Sequence, residues 1–153
     1  MGQFNPYKKF SFENLEVYKI ARVLVRDIYR LQNKFPKEEK YALGDQIRRS
    51  STSITSNIAE GSGRNSIKEK MHFIEIAFGS MTESFSQLQN AQDLGYICEV
   101  EIDALRPQFN QVAALLSGLH NSFERTLSDS PSPPLTNNPS LTNNPLTHKP
   151  NNQ

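Results

Sequence analysis

Few residues in this chain could do chemistry, and their spacing argues against most of them. Glu69 and His72 form an E-x-x-H pair, which sets a carboxylate and an imidazole on one face of a helix as in di-iron bundles. That centre needs a second such pair and two more glutamates facing it, but His120 has Ser117 three residues before it. Gly61 and Gly63 precede a helix start, where backbone N–H groups can hold an anion. No strand comes before them and no lysine stands at the phosphate-loop spacing, so they read as a turn. Cys98, the single cysteine, excludes an intrachain disulfide and has no evident basic partner to activate it. No serine-hydrolase or zinc-protease motif is present. Neither catalysis, a cofactor nor a metal is expected.

Two charged patterns point instead to binding and packing. Lys19, Arg22, Arg26, Arg30 and Lys34 repeat at steps of three and four and form a basic stripe along one helix, with Glu16 and Asp27 nearby. On a single chain such a stripe reads as a solvated helix face; it can also track a phosphate backbone, and repetition around an oligomer would shift the balance towards that. No aromatic interleaving is evident, so binding is expected to be led by the backbone phosphates and sensitive to salt. Gln46, Arg49, Ser53, Asn57 and Glu60 share a second face. Glu75 and Glu83 lie on the following helix near Gly79, where another backbone could approach; either Arg49 meets Glu83 in a partly buried pair that fixes register, or the two are solvated faces.

The elements that carry these residues follow from apolar periodicity. Leu15, Tyr18, Ala21, Leu24, Val25, Ile28, Leu31 and Phe35 predict a first helix over 13–34, ended by Pro36. A second is predicted over 37–60, with Leu43, Ile47, Ser50, Ile54 and Ile58 on one face and Gly61 and Gly63 as its stop. Its many small polar residues have poor intrinsic helix propensity but allow close approach of a neighbour, so it reads as a tightly packed central helix. A third, over 66–94, has capping-box spacing at Ser66 and Glu69 and a strict heptad seam of Ile67, Met71, Ile74, Phe78, Met81, Phe85 and Leu88, closed by Gly95. A fourth, over 99–127, carries Ile102, Leu105, Phe109, Val112, Leu116, Leu119 and Phe123, and Pro107 within it predicts a kink or a late start. The fold class is all-α, an antiparallel up-down four-helix bundle.

The chain divides into an N-terminal arm over 1–12, the bundle over 13–127 and a Pro/Asn/Ser/Thr-rich tail over 128–153, in which LTNNP occurs twice and which reads as disordered. The formal net charge is +1, so no global charge draws the chain to nucleic acid or membrane. No apolar run suits a signal peptide or a membrane span, and a cytoplasmic location is expected. The apolar faces exceed what a single bundle can cover, which points to self-association.

Several stretches resemble a known family: F-x-x-L-x-V-Y at 12–18, A-x-x-L at 21–24, IY at 28–29, FPKEEKYALGDQIRRSSTSITSNIAEGSGR at 35–64, FIEIAFGSMTES at 73–84 and L-x-x-A-x-x-L-G-Y-I at 88–97. Together they resemble the bacterial four-helix bundle proteins encoded in intervening sequences of 23S ribosomal RNA genes. The accessory variability protein of diversity-generating retroelements is similar to these. The resemblance covers about residues 10–127. It implies a cytoplasmic bundle that assembles as a homopentamer. In the retroelement branch it implies a basic surface that binds RNA and a reverse transcriptase. The sequence and the resemblance together suggest a non-enzymatic oligomer binding structured RNA through Lys19, Arg22, Arg26, Arg30 and Lys34. The alternative is a protein–protein adaptor, or a reverse-transcriptase accessory subunit, with no nucleic-acid contact.

Overall fold

The computed structural model describes residues 5–129, so the expected disordered tail lies almost wholly outside the described residues. Within them the fold is an all-α, up-down four-helix bundle: α1 (Glu16–Gln32), α2 (Leu43–Ser62), α3 (Ile67–Asp93) and α4 (Glu99–Ser128), with short 3-10 turns at Ser11–Asn14 and Glu39–Tyr41. Each helix packs on its neighbours in sequence, and α1 closes the ring against α4. Val17, Ala21, Leu24 and Ile28 of α1 meet Ile47, Ile54 and Ile58 of α2, Ile74, Met81 and Leu88 of α3, and Ile102, Phe109, Val112 and Leu116 of α4 in one continuous core.

The helix ends show which local signals prevailed. Ser66 caps α3, its Oγ accepting from the Glu69 amide at 3.4 Å, as the capping spacing predicts. Gly95 ends α3 with φ +77°, a left-handed conformation that suits glycine. α2 starts at Leu43 rather than near Lys37. The Pro36 carbonyl accepts from the amides of Glu39 and Lys40 at 3.0 and 3.2 Å, which winds the connection into a tight turn. Buried Gln32 then donates to the Gly44 carbonyl at 2.8 Å and pins the end of α1 to the start of α2. α4 starts at Glu99 with no delay and runs through Pro107. The proline removes the bond to the carbonyl of Asp103, an exposed residue whose free carbonyl water can satisfy.

Gly61 is not part of the stop. It lies inside α2, where a Cβ would stand 2.8 Å from the Cβ of Phe73, so the two helices cross here without room for a side chain. Gly63 alone is the terminal residue. Among the described residues nothing packs within 4 Å of a Cβ placed at Gly79, so no described backbone approaches there.

α3 buries two rows rather than one. Ile74, Met81 and Leu88 of the expected seam are buried, but Phe78 is 37% exposed. A second row of Ala77, Ser80, Ser84, Gln87 and Ala91, also stepping by three and four, is buried. It faces the small residues of α2 through hydrogen bonds. Ser84 Oγ donates to Ser50 Oγ at 2.9 Å, Ser50 Oγ donates to Gln87 Oε1 at 2.9 Å, and Gln87 Nε2 donates to Glu83 Oε1 at 2.9 Å. Ser53 and Ser80 share a further hydrogen bond at 2.8 Å. This polar zipper satisfies hydroxyls that would otherwise be costly to bury.

Candidate functional site

α1 carries the clearest candidate surface. Its buried residues face the core, and the opposite flank leaves Lys19, Arg22, Arg26 and Arg30 exposed; Lys34, expected on this helix, is exposed in the turn beyond its end at Gln32. Beside them runs an open groove lined by Tyr18, Arg22, Val25, Arg26, Tyr29 and Arg30, with Thr55 of α2 on its far side. The groove is therefore aromatic as well as basic, against the expectation of no aromatic interleaving. Tyr18, Arg22, Val25 and Tyr29 step by four, three and four, so the signal was present in the sequence as ordinary helix periodicity. It was hidden because Tyr18 also counts as an apolar core residue.

The aromatic path continues beyond the helix. Phe10 stacks on Phe12 with ring centroids 5.7 Å apart, and Phe12 meets the Tyr18 ring edge-on at 4.9 Å. The Arg22 guanidinium lies 6.0 Å from the Tyr18 centroid. Phe10 is 71% and Tyr29 40% exposed.

Carboxylates offset much of the positive charge. Glu16 lies 3.8 Å from Lys19, and Asp27 takes Arg26 at 3.1 Å and Arg30 at 3.3 Å. Lys34 reaches across to Glu101 of α4. Desolvation pushes the Asp27 carboxyl upward, but hydrogen bonds from Arg26 and Gln108 and the charges of Arg26 and Arg30 together hold it below its usual value. Glu101 is lowered to about 2 by its hydrogen bonds from Lys34 and the Cys98 amide. Arg22 alone of the five cations has no ion pair among the described residues and only the Tyr18 ring beside it.

The remaining sequence candidates do not assemble. Arg49 and Glu83 are both exposed and form no ion pair among the described residues; Glu83 accepts from Gln87, and the charge of Arg49 acts on Asp45. The interface between α2 and α3 is occupied instead by the serine–glutamine zipper. Glu69 and His72 are exposed in the first turns of α3. His120 Nε2 instead lies 3.0 Å from Glu75 Oε1. No cluster of three or more His, Cys, Asp or Glu suited to a metal ion occurs among the described residues. Cys98 is exposed at the start of α4, where its amide donates to Glu101 Oε2 at 2.9 Å. No helix among the described residues is long and apolar enough to cross a membrane.

Fold and surface thus define a small helical bundle that displays an aromatic and cationic strip on its first helix. The family described as 23S rRNA-intervening sequence protein matches residues 13–118, and this chain belongs to it. No curated protein matches the chain. Among solved structures, it is similar to a crystal structure from Bacteroides thetaiotaomicron VPI-5482 of a protein with unknown function from the S23 ribosomal protein family. The two share 20% identity over 68% of this chain and 97% of that one, with a TM-score of 0.61, a likeness that speaks for the fold.

Proposed function

We propose that this protein is a non-enzymatic RNA-binding bundle whose α1 face contacts structured RNA and whose copies assemble as a homo-oligomer. The observation that carries the RNA reading is the strip of Arg22, Arg26, Tyr29 and Arg30, exposed on one rigid helix beside a groove. Family membership links the chain to 23S rRNA intervening sequences, which makes RNA from such a sequence the natural first probe. Fluorescence anisotropy against that RNA tests it. Replacing Arg22, Arg26 and Arg30 together by glutamine is expected to abolish binding while leaving the fold intact. Binding unchanged by that replacement excludes this face.

Assembly, as a pentamer in keeping with the resemblance described above, draws support from exposed Val23, Ile76 and Phe78 on the helix surfaces. Sedimentation velocity tests it, and a single subunit at all concentrations excludes it. The second reading, an adaptor or reverse-transcriptase accessory subunit in the cytoplasm, is favoured by a different observation. Phe78 borders an α3–α4 groove with Ile74, Leu116 and the Glu75–His120 pair, far from the arginines in sequence.

A further inference from the structure

The geometry points to unpaired nucleotides, stacked on Tyr29 and Phe10 with Arg22 holding phosphate between them, as the ligand of the α1 face. This rests on the reading of that face as RNA-binding and narrows it to single-stranded segments and loops.

Charge alone is a weak basis for binding here. Five cations lie on the strip, but Glu16, Asp27 and Glu101 pair with four of them, leaving a net of about two positive charges for a phosphate backbone. A duplex offers little besides phosphates and sugar hydroxyls across a wide minor groove, and duplex binders spread their contacts over about 16 base pairs. α1 is only 17 residues long, which is about 25 Å.

What the strip has in addition is ring surface. Phe10 has one face on Phe12 and is 71% exposed, and Tyr29 is 40% exposed at the edge of the groove. Exposed ring faces stack on bases that are splayed out, and these are absent from a continuous A-form helix. Tyr29 stands 11 residues beyond Tyr18, three turns or about 16 Å along the same flank, with Arg22 and Arg26 between. Arg22 already lies beside an aromatic ring, and it forms no ion pair among the described residues, so it can take a phosphate without breaking one. Asn33 and Thr55 add neutral hydrogen-bonding groups at the groove wall.

The test compares a hairpin carrying an eight-adenosine loop with a fully paired duplex of equal phosphate number. The hairpin is expected to bind at least tenfold tighter. Tyr29→Ala is expected to weaken hairpin binding about tenfold and duplex binding less than twofold, while Tyr29→Phe stays within twofold of the parent. The chain has no tryptophan, so Tyr29→Trp provides a single reporter whose emission the hairpin quenches and the duplex does not. Equal binding of hairpin and duplex, unaffected by Tyr29→Ala but lost with the arginines, overturns the stacking inference and leaves the RNA reading standing. Failure of both RNAs to bind overturns both. A change in sedimentation with Tyr29→Ala also overturns the inference, because the groove is then an interface between copies.

Discussion

Replacing Gly61 by alanine isolates the contact that sets the α2–α3 spacing. Gly61 is the penultimate residue of α2, where the change is favourable by at most about 1 kcal/mol in propensity. Here the new Cβ would lie 2.8 Å from the Cβ of Phe73. Ordinary carbon contacts begin near 3.5 Å, so the helices must separate by about 0.7 Å or more. The obstructing atom is tethered to the backbone and cannot rotate away, which places the cost in the upper part of the overpacking range, about 2–3 kcal/mol. The net is a loss of about 1–2 kcal/mol, or roughly 3–7 °C in Tm for a domain of this size. Gly118→Ala is the matched control. It is mid-helix in α4, with nothing among the described residues within 4 Å of its Cβ, and should raise stability by about 0.5–1 kcal/mol. Thermal unfolding followed by far-UV circular dichroism reads both. Because the clash is with Cβ and not with the ring, adding Phe73→Ala should not rescue Gly61→Ala. If Gly61→Ala is as stable as Gly118→Ala, the close crossing is absent and the reasoning fails.

Other expectations follow from the same geometry. Ser50→Ala removes the donor to Gln87 and the acceptor for Ser84 inside the α2–α3 interface, and should cost about 1–2 kcal/mol in urea unfolding. An unchanged midpoint would mean that the zipper contributes nothing. Glu101 has a folded pKa lowered to about 2 from 4.5, so its stabilisation is present above pH 4.5 and is lost as pH falls from there through 2. Glu101→Gln should therefore cost about 1 kcal/mol or less at pH 7 and flatten the decline in Tm between pH 5 and 2, whereas an identical decline in both proteins excludes the pair as a source of acid sensitivity.

The fold was largely legible because long apolar periods and strong punctuation agree. Ser66, Gly95 and Glu99 each sit within two residues of the helix end they predict. What was missed involves small or dual-purpose residues. The Ala77–Ser80–Ser84–Gln87–Ala91 row has little hydrophobicity, so a periodicity read from apolar residues passes over it although it is buried. The Arg49–Glu83 pair followed from two faces taken separately. The zipper occupies that interface, engages Glu83 through Gln87 and leaves Arg49 exposed. At the candidate site the five cations were evident, but their partners were not. Lys34 and Glu101 are 67 residues apart in sequence, and only the return of α4 to α1 brings them together. Tyr29, an aromatic at helical spacing from Tyr18, cannot be told from a core residue by sequence, and only the structure shows it 40% exposed.

The most direct test of the α1 account is the salt dependence of binding to an unpaired oligonucleotide short enough to lie on one helix. With about two net charges engaged, log K against log salt should have a slope near −1.4, and Arg22→Gln should reduce it to about −0.7. Tyr29→Ala should lower affinity without altering the slope. A slope near −3.5, as expected if all five cations meet phosphate, or affinity indifferent to Tyr29, contradicts a site built from stacking and a partly neutralised cationic strip.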